Sequence, residues 1–228
     1  DPHSERGGGM VSRSSIIPSE AFEISLRDEG YERVVGIDEV GRGAWAGPLV
    51  VGAVILPIGR RVLGLRDSKA LSREERDVLA RRLKRIAVSW AIGVIDVREL
   101  DEIGLSQSLS VAANRAIAGL SSRPSIGLLD GKHQFKGLDL EHRTIIKGDN
   151  FVRCIAAASV IAKVERDRMM RTLHRTESAM RVYRFDLNKG YPSPVHQSKL
   201  RQFGPSTHHR TSFAPIRELL SRKVAYEH

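Results

Sequence analysis

The sequence predicts an α/β protein in which a mixed sheet is flanked by helices, with a small helical region at the carboxyl end. The first observation behind this prediction is the order of the elements, β-β-α-β-α-β-β-α, which gives five strands. The second is a pair of β-branched runs separated by a glycine-containing turn, a pattern typical of a hairpin. The third is the Pro-, His- and Arg-rich composition beyond Met180, which indicates a separate helical segment.

The 228 residues suit one domain with a sizeable core. We expect residues 1–18 to be a disordered leader or an expression remnant, because the chain starts without methionine and three successive glycines precede Met10. Residues 19–180 are then the main domain. Residues 181–228 are expected to form a C-terminal helical extension packed on it.

The individual elements follow from local patterns. A short helix is expected at 20–27, and a hairpin of two strands at 34–56. Ser72 and Glu75, three positions apart, form a capping box that opens a helix reaching Ile86. The later elements are a strand at 88–97, a helix at 105–120, strands ending at Asp130 and Asp149, and a helix from about Phe151 to Leu173.

Charge and cysteine content restrict the class of protein. The chain has 37 Lys and Arg against 27 Asp and Glu, a formal charge of +10, which favours a polyanionic partner. The single cysteine, Cys154, excludes an intrachain disulfide and suits a reducing, cytoplasmic compartment. The uncharged run from Gly43 to Gly59 is shorter than the roughly 20 residues of a membrane helix, and no signal peptide precedes it. We therefore expect no membrane association.

Acidic residues stand at the ends of three apolar strands. Asp38 and Glu39 end the first strand, Asp130 ends another, and Asp149 follows a third just before a long helix. Such strand ends form sites in open α/β sheets, and clustered carboxylates are the ligands that Mg²⁺ or Mn²⁺ prefers. The alternative for Asp38 and Glu39 is a solvent-facing turn that carries two acids.

Asp38 and Glu39 raise a geometric question, because neighbouring residues of a regular strand point to opposite faces. Both can reach one metal ion only if the strand bends or Glu39 lies in the turn, which Gly41 and Gly43 would allow. A straight strand through Val40 would weaken the interpretation of Glu39 as a ligand of a shared ion.

Two further groups are candidates for substrate contact. Ser159, Lys163 and Arg166 share one face of the predicted helix after Asp149, where they could contact phosphates or form an ordinary solvated face. The segment Gly41-Arg42-Gly43 could present its backbone N–H groups and its guanidinium to a nucleic acid, although most such segments are simple turns.

Six sequence blocks, in this order, resemble bacterial type 2 ribonuclease H (ribonuclease HII), and they cover nearly the whole chain from Tyr31 to Phe213. The blocks are 36–48, 66–72, 129–131, 145–164, 188–192 and 203–213. Two departures from the family pattern are Asn150-Phe151 after Asp149, and Cys154 where a serine is common. Neither departure touches the acids.

The resemblance implies a ribonuclease H fold and a monomeric endoribonuclease. Its substrates would be RNA/DNA hybrids and duplex DNA containing single ribonucleotides, cut on the 5′ side to leave 3′-hydroxyl and 5′-phosphate ends. Asp38, Glu39, Asp130 and Asp149 would hold two Mg²⁺ or Mn²⁺ ions. Substrate-binding residues would be the Gly41, Arg42 and Gly43 turn, Ser159, Lys163, and Tyr191, whose hydroxyl would reach the ribose 2′-OH.

Three alternatives stay open at this point. A type 3 ribonuclease H would carry a sizeable N-terminal domain, whereas only some thirty residues precede the first strand. A resolvase or integrase would fit the acids but neither the Gly-Arg-Gly nor the Lys-Gly-Tyr block. A non-catalytic nucleic-acid-binding module would fit the charge but would have no use for four converging acids. His208 and His209 suggest no zinc site, because no cysteine or suitably spaced histidine accompanies them.

Overall fold

The computed structural model describes residues 17–65, 69–132 and 135–225. Most of the predicted leader, 1–18, lies outside the described residues, and so do Arg66, Asp67 and Ser68 of one family-like block. No described helix combines the length and the apolar character needed to cross a membrane.

The central sheet has five strands, in the spatial order β3-β2-β1-β4-β5. The strands are β1 (Val34–Val40), β2 (Leu49–Ile55), β3 (Ser89–Ile95), β4 (Ile126–Asp130) and β5 (His142–Ile145). Strands β1, β2 and β3 pair antiparallel, whereas β4 runs parallel to β1 and to β5. The predicted mixed sheet and hairpin are therefore confirmed, and the carboxyl ends of β1, β4 and β5 meet at one end of the sheet.

Nine α-helices and one 3₁₀-helix lie in the described part of the chain. They are α1 (Ala21–Asp28), α2 (Arg73–Ile86), α3 (Val97–Ile103), α4 (Leu105–Ala118), α5 (Gly148–Phe151), α6 (Arg153–Thr176), the 3₁₀-helix (Ser178–Tyr183), α7 (Phe185–Asn188), α8 (Pro194–Phe203) and α9 (Ala214–Ala225). The capping box predicted at Ser72 and Glu75 is present.

Helices α4 and α6 cover the two faces of the sheet. Val35, Ile37 and the small residues of α4 form one buried cluster. On the opposite face, a Cβ atom at Gly36 would lie 2.1 Å from the Cys154 carbonyl carbon. Only glycine fits there, so α6 runs directly against β1. Cys154 is fully buried.

Two boundaries and one additional helix differ from the prediction. Strand β5 ends at Ile145, and Asp149 lies in the one-turn helix α5, because Lys147 takes a left-handed conformation with φ of 56°. The long helix starts at Arg153, since Val152 is extended. Helix α3, capped by the Asp96 side chain on the Glu99 N–H, was not predicted.

The C-terminal helices pack on the end of the sheet that carries the acids. Met180, Tyr183, Phe185, Leu200 and Ile216 form a buried cluster with Met170 of α6 and Ala46 of the β1–β2 loop. This packing fixes the β1–β2 loop, which contains the Gly-Arg-Gly segment, against the chain around Tyr191.

Candidate metal centre and nucleic-acid interface

The structure brings the four predicted acids to one end of the sheet. Ile37 of β1 is in register with Leu129 of β4, so the next residues, Asp38 and Asp130, stand side by side on parallel strands. Asp149 joins them from α5, one turn after β5. The interpretation of Asp38 and Glu39 as a solvent-facing turn is wrong, because both lie within β1 and Asp38 is only 7% exposed.

Burial and mutual repulsion disfavour the ionised forms of these acids. Burial raises the pKa of Asp38 well above its ordinary value, and the charges of Glu39, Asp130 and Asp149 add to the effect. Burial and the Asp149 charge raise the pKa of Asp130, although the backbone N–H groups of Gly148 and Asp149 act in the opposite direction. A cation bound near these acids would therefore stabilise their ionised forms.

Glu39 occupies a different position from Asp38. Strand β1 continues to Val40, and Glu39 pairs with Val51 without a bend, so the two acids leave opposite faces of the strand. Glu39 Oε1 lies 3.5 Å from Arg42 Nη1. Burial raises the pKa of Glu39, the Arg42 charge lowers it, and the Asp130 charge raises it again. The straight strand weakens the prediction that Glu39 shares one ion with Asp38.

Cationic side chains of the protein approach the acid cluster. Lys69 Nζ lies 2.5 Å from Asp149 Oδ2 and donates to Asn150 Oδ1 at 3.0 Å. Sequence reasoning assigned Lys69 no role, although it lies in one of the family-like blocks and that position was the available signal. Within residues 17–65, 69–132 and 135–225, no three His, Cys, Asp or Glu side chains are grouped as a ready ion site.

The residues nevertheless fit a hard divalent cation. Asp130 Oδ1 is buried and has no hydrogen-bond partner among the residues that the structure describes, which is costly for a carboxylate oxygen unless a ligand satisfies it. The donors are carboxylates, the ligand type that Mg²⁺ and Mn²⁺ prefer. A bound cation would also offset the repulsion that raises the pKa values of Asp38 and Asp130.

Tyr191 and the Gly-Arg-Gly segment meet beside the acids, although they are far apart in the chain. The Gly41 N–H donates to Tyr191 Oη at 3.1 Å. Gly41 has φ of +89°, and a Cβ there would lie 2.2 Å from Arg166 Nε, so the turn requires glycine. Arg42 is exposed, and a Cβ at Gly43 would meet open space, so this part of the turn faces solvent.

The predicted stripe on α6 divides into two parts. The Ser159 side chain counteracts the burial-driven rise in the pKa of Asp38, and Ser159 and Lys163 line a cavity of about 230 Å³ with Glu39 and Lys69. Lys163 also contacts Asp167 Oδ1 at 2.7 Å. The prediction that Arg166 contacts phosphate is wrong, because Arg166 is fully buried and its guanidinium donates to backbone carbonyls.

A second, larger cavity of about 670 Å³ lies on the other side of Glu39. Acids and bases both line it: Glu39, Asp130, Arg42, Lys132 and Lys136, with Leu105, Leu109 and Phe135 among the apolar residues. A cavity lined by both carboxylates and cations suits a phosphodiester held near a metal site.

The two histidines have separate structural roles. His209 is buried, and its Nε2 lies 3.0 Å from His196 Nε2. Burial lowers the pKa of His209 to about 3, with a contribution from His196, so His209 is neutral at neutral pH. His208 Nε2 lies 3.0 Å from Glu177 Oε2.

Comparison with known proteins agrees with this architecture. A family model described as Ribonuclease HII matches residues 35–216. A ribonuclease HII from Streptomyces griseus is 45% identical over 198 residues, which are 86% of this chain and 84% of that protein. A ribonuclease HII from Xanthomonas campestris is 42% identical over 193 residues, 84% of this chain and 79% of that protein.

Comparison with solved structures also supports a relationship to type 2 ribonucleases H. The crystal structure of ribonuclease H2 from Pyrococcus horikoshii has a TM-score of 0.67 and 25% identity, and the match covers 83% of this chain and 98% of that one. Since the family model spans most of the sequence, the resolvase, integrase, type 3 and non-catalytic alternatives are set aside. The chain belongs to the ribonuclease HII family of endoribonucleases.

Proposed function

We propose that this protein hydrolyses the RNA strand of RNA/DNA hybrids and also cuts 5′ to single ribonucleotides embedded in duplex DNA. The products are a 3′-hydroxyl and a 5′-phosphate, with water as the second reactant. The observation that supports the proposal is the contact between the Gly41 N–H and Tyr191 Oη beside the acids, since a turn proposed to sense a sugar then lies next to the carboxylates proposed to bind a cation.

We propose that Mg²⁺ or Mn²⁺ is held by Asp38, Asp130 and Asp149, with Glu39 as a further ligand. The family resemblance implies two such ions. A bound divalent cation lowers the pKa of a coordinated water and offsets charge that develops on the phosphate. The chain itself contributes the Ser159 side chain, which favours the ionised form of Asp38, and the Lys69 contact, which orients the Asp149 carboxylate.

Ribonucleotide recognition is assigned to the turn and to Tyr191. A 2′-OH is both a donor and an acceptor, so polar groups held in a fixed arrangement can distinguish ribose from deoxyribose. The Tyr191 hydroxyl accepts from the Gly41 N–H and keeps its own proton available for donation. Backbone groups suit this task because no side chain has to be ordered when substrate binds.

Cations around the acids are proposed to hold the phosphate backbone. Arg42, Lys132 and Lys136 line the larger cavity, and Lys69 and Lys163 line the smaller one. The charge of +10 adds a long-range attraction to a polyanion. We further propose a monomer that acts in the cytoplasm, with 19–180 as the catalytic domain and 181–228 as its extension.

A cleavage assay tests the proposal. Duplexes of identical sequence would carry one ribonucleotide, a full RNA strand, or DNA only, each with Mg²⁺ and with excess chelator. We expect cleavage of the first two, at the phosphodiester 5′ to the ribonucleotide, and none in chelator or on DNA. Cleavage of the DNA duplex, or equal rates in chelator, would contradict the proposal.

A further inference from the structure

Two buried arginines lie behind the Gly41–Gly43 turn and have no part in the function described above. Arg166 belongs to α6, and Arg210 lies between α8 and α9; both are fully buried. Neither forms a salt bridge with any residue in the part of the chain that the structure describes. Burying a guanidinium without a carboxylate is costly, so their hydrogen bonds must be well satisfied.

Arg166 joins two loops that are distant in sequence. Its Nε donates to Pro48 O at 2.8 Å and its Nη2 to Ala46 O at 3.0 Å, both in the β1–β2 loop. Its Nη1 donates to Lys189 O at 2.8 Å, two residues before Tyr191. The guanidinium also lies over the Tyr191 ring, with Cζ 5.2 Å from the ring centroid.

Arg210 fixes the same loop from the other side. Its Nε and Nη2 both donate to Gly47 O, at 3.1 and 2.9 Å, and its Nη1 donates to Arg42 O at 3.3 Å. Its own backbone N–H donates to Trp45 O at 2.8 Å. Arg210 therefore contacts the Gly-Arg-Gly segment directly, through the carbonyl of its central residue.

The two loops also touch through their backbones. The N–H groups of Trp45 and Ala46 donate to Gly190 O at 2.8 and 3.2 Å. A Cβ at Gly190 would lie 2.2 Å from Ala46 O, so nothing larger than glycine fits between the loops. Together with the arginines, these contacts determine how far the Gly41 N–H lies from Tyr191 Oη.

We propose that Arg166 and Arg210 are positioning residues that set the spacing between the Gly41–Gly43 turn and Tyr191, and thereby the enzyme's response to a single ribonucleotide. This inference rests on the proposed function of that turn. The planar fork of arginine makes several bonds in fixed directions, which the single ammonium of lysine cannot reproduce. A displacement of about 1 Å in a positioning group costs on the order of a hundredfold in rate.

The test uses Arg166→Lys and Arg210→Lys, with Arg153→Lys as the matched control. Arg153 is another buried arginine that donates to two loop carbonyls, Arg60 O and Pro57 O, but at the opposite end of the sheet. We expect the first two variants to lose about tenfold or more in kcat on the single-ribonucleotide duplex, with little change in KM because the phosphate contacts remain. Arg153→Lys should lose stability but keep its kcat.

Hydrogen exchange gives a readout that does not depend on cleavage. In the wild type, the Gly41 and Trp45 amides should exchange as slowly as the β1–β2 ladder, and in Arg210→Lys they should exchange faster while the ladder is unchanged. Loop-like exchange of these amides in the wild type would overturn the inference even if a variant fails to fold. The inference would also be overturned if Arg166→Lys and Arg210→Lys lost as much thermal stability as Arg153→Lys but kept the wild-type kcat.

The two proposals fail in different ways. If the wild type did not cleave a ribonucleotide-containing duplex, the proposed function would be wrong, while slow exchange at Gly41 and Trp45 would still support the positioning of the turn. If the wild type cleaves and the arginine variants match it, only the positioning role is lost.

Discussion

Arg153 and Arg166 are both buried arginines of α6, about 20 Å apart along the helix axis, but their charges are balanced differently. Arg153 Nη1 lies 2.9 Å from Glu20 Oε2, and its Nε lies 3.6 Å from Glu23 Oε1. Arg166, with Arg210 nearby, has only backbone carbonyls as hydrogen-bond partners in the described part of the chain. At the Arg166 end of the sheet, the acids Asp38 and Asp130 lie close to each other and form no ion pair with Arg166 or Arg210 in the described part of the chain.

The comparison indicates that the protein is destabilised by like charges at the end of the sheet where substrate is proposed to bind. At the Arg153 end, opposite charges are brought together as in an ordinary structural ion pair. At the other end, burial and the neighbouring Arg166 lower the pKa of Arg210 to about 9, while burial and neighbouring acids raise the pKa of Asp38. The crowded acids there would gain from a divalent cation, whereas the two arginines are fully buried and are satisfied by backbone carbonyls.

The largest expected effect comes from neutralising one acid at the crowded end. Asp130→Asn should lower cleavage by more than about a hundredfold, because even residues behind a metal ligand are worth 10- to 100-fold. Thermal stability in chelator should be unchanged or higher, since the substitution removes repulsion. The measurement pairs cleavage rate with thermal unfolding.

Glu20→Gln is the matched control at the Arg153 end. It removes a half-exposed acid from an ion pair, so stability should fall by about 1 kcal/mol or less and cleavage should not change. A near wild-type rate for Asp130→Asn at saturating Mg²⁺ would show that Asp130, like Glu20, is not needed for cleavage, and that the two ends of the sheet do not differ in this respect.

The second effect is on affinity. If the lysines and Arg42 around the acids contact phosphates, substrate affinity should fall on the order of a hundredfold or more between 50 and 200 mM salt. Fluorescence anisotropy with the Asp130→Asn protein measures this without cleavage. An affinity that is flat over this range would remove the phosphate-binding role of those cations.

Sequence patterns predicted the parts of this molecule that depend on local chemistry. The hairpin, the capping box at Ser72 and the acids at strand ends each have a signal within a few residues. The sequence alone did not reveal that Arg166 is buried, because its helical spacing from Lys163 equally suits a surface stripe. Its burial results from the β1–β2 loop and the Lys189–Tyr191 turn closing over it, which are contacts between distant segments. Lys69 was missed for the same reason, since its partner Asp149 is far away in the chain.

The third effect concerns the tyrosine that joins the two loops. Tyr191→Phe should keep substrate affinity and lose part of the rate on a single-ribonucleotide duplex, because the Gly41 N–H loses its acceptor and the 2′-OH loses a polar partner. Tyr191→Ala should lose more, since stacking on a nucleotide is worth about 1–3 kcal/mol. Rates on a continuous RNA strand should fall less, because neighbouring 2′-OH groups remain. A near wild-type rate for Tyr191→Ala on the single-ribonucleotide duplex would make the residue purely structural.

The smallest expected effect is a pH dependence of stability with opposite signs at two aspartates. The pKa of Asp38 is raised in the folded protein, so its favourable contribution is present at low pH and is lost as pH rises above its ordinary value of 3.8. For Asp101, burial alone would raise the pKa, but hydrogen bonds from Ser212 and Thr211 outweigh it and hold the pKa below that value. Its contribution is therefore present above pH 3.8 and is lost as pH falls through the folded pKa.

Substitution by asparagine at each position isolates the pH dependence of stability that is due to that one aspartate from the titration of the rest of the protein. In chelator, the stability of Asp38→Asn relative to wild type should increase as pH rises above the ordinary pKa of 3.8, by about 1.4 kcal/mol for each unit of pKa difference. Asp101→Asn should become relatively less stable as pH rises from about 3 to 5, because only the wild type gains the ionised carboxylate with its hydrogen bonds. Millimolar Mg²⁺ should reduce the pH dependence at Asp38 and leave that at Asp101 unchanged, since a cation is proposed to bind only at the first. If thermal unfolding gave the same sign at both aspartates, Asp38 would be an ordinary stabilising carboxylate like Asp101, and the crowding of acids beside β1 would not oppose folding.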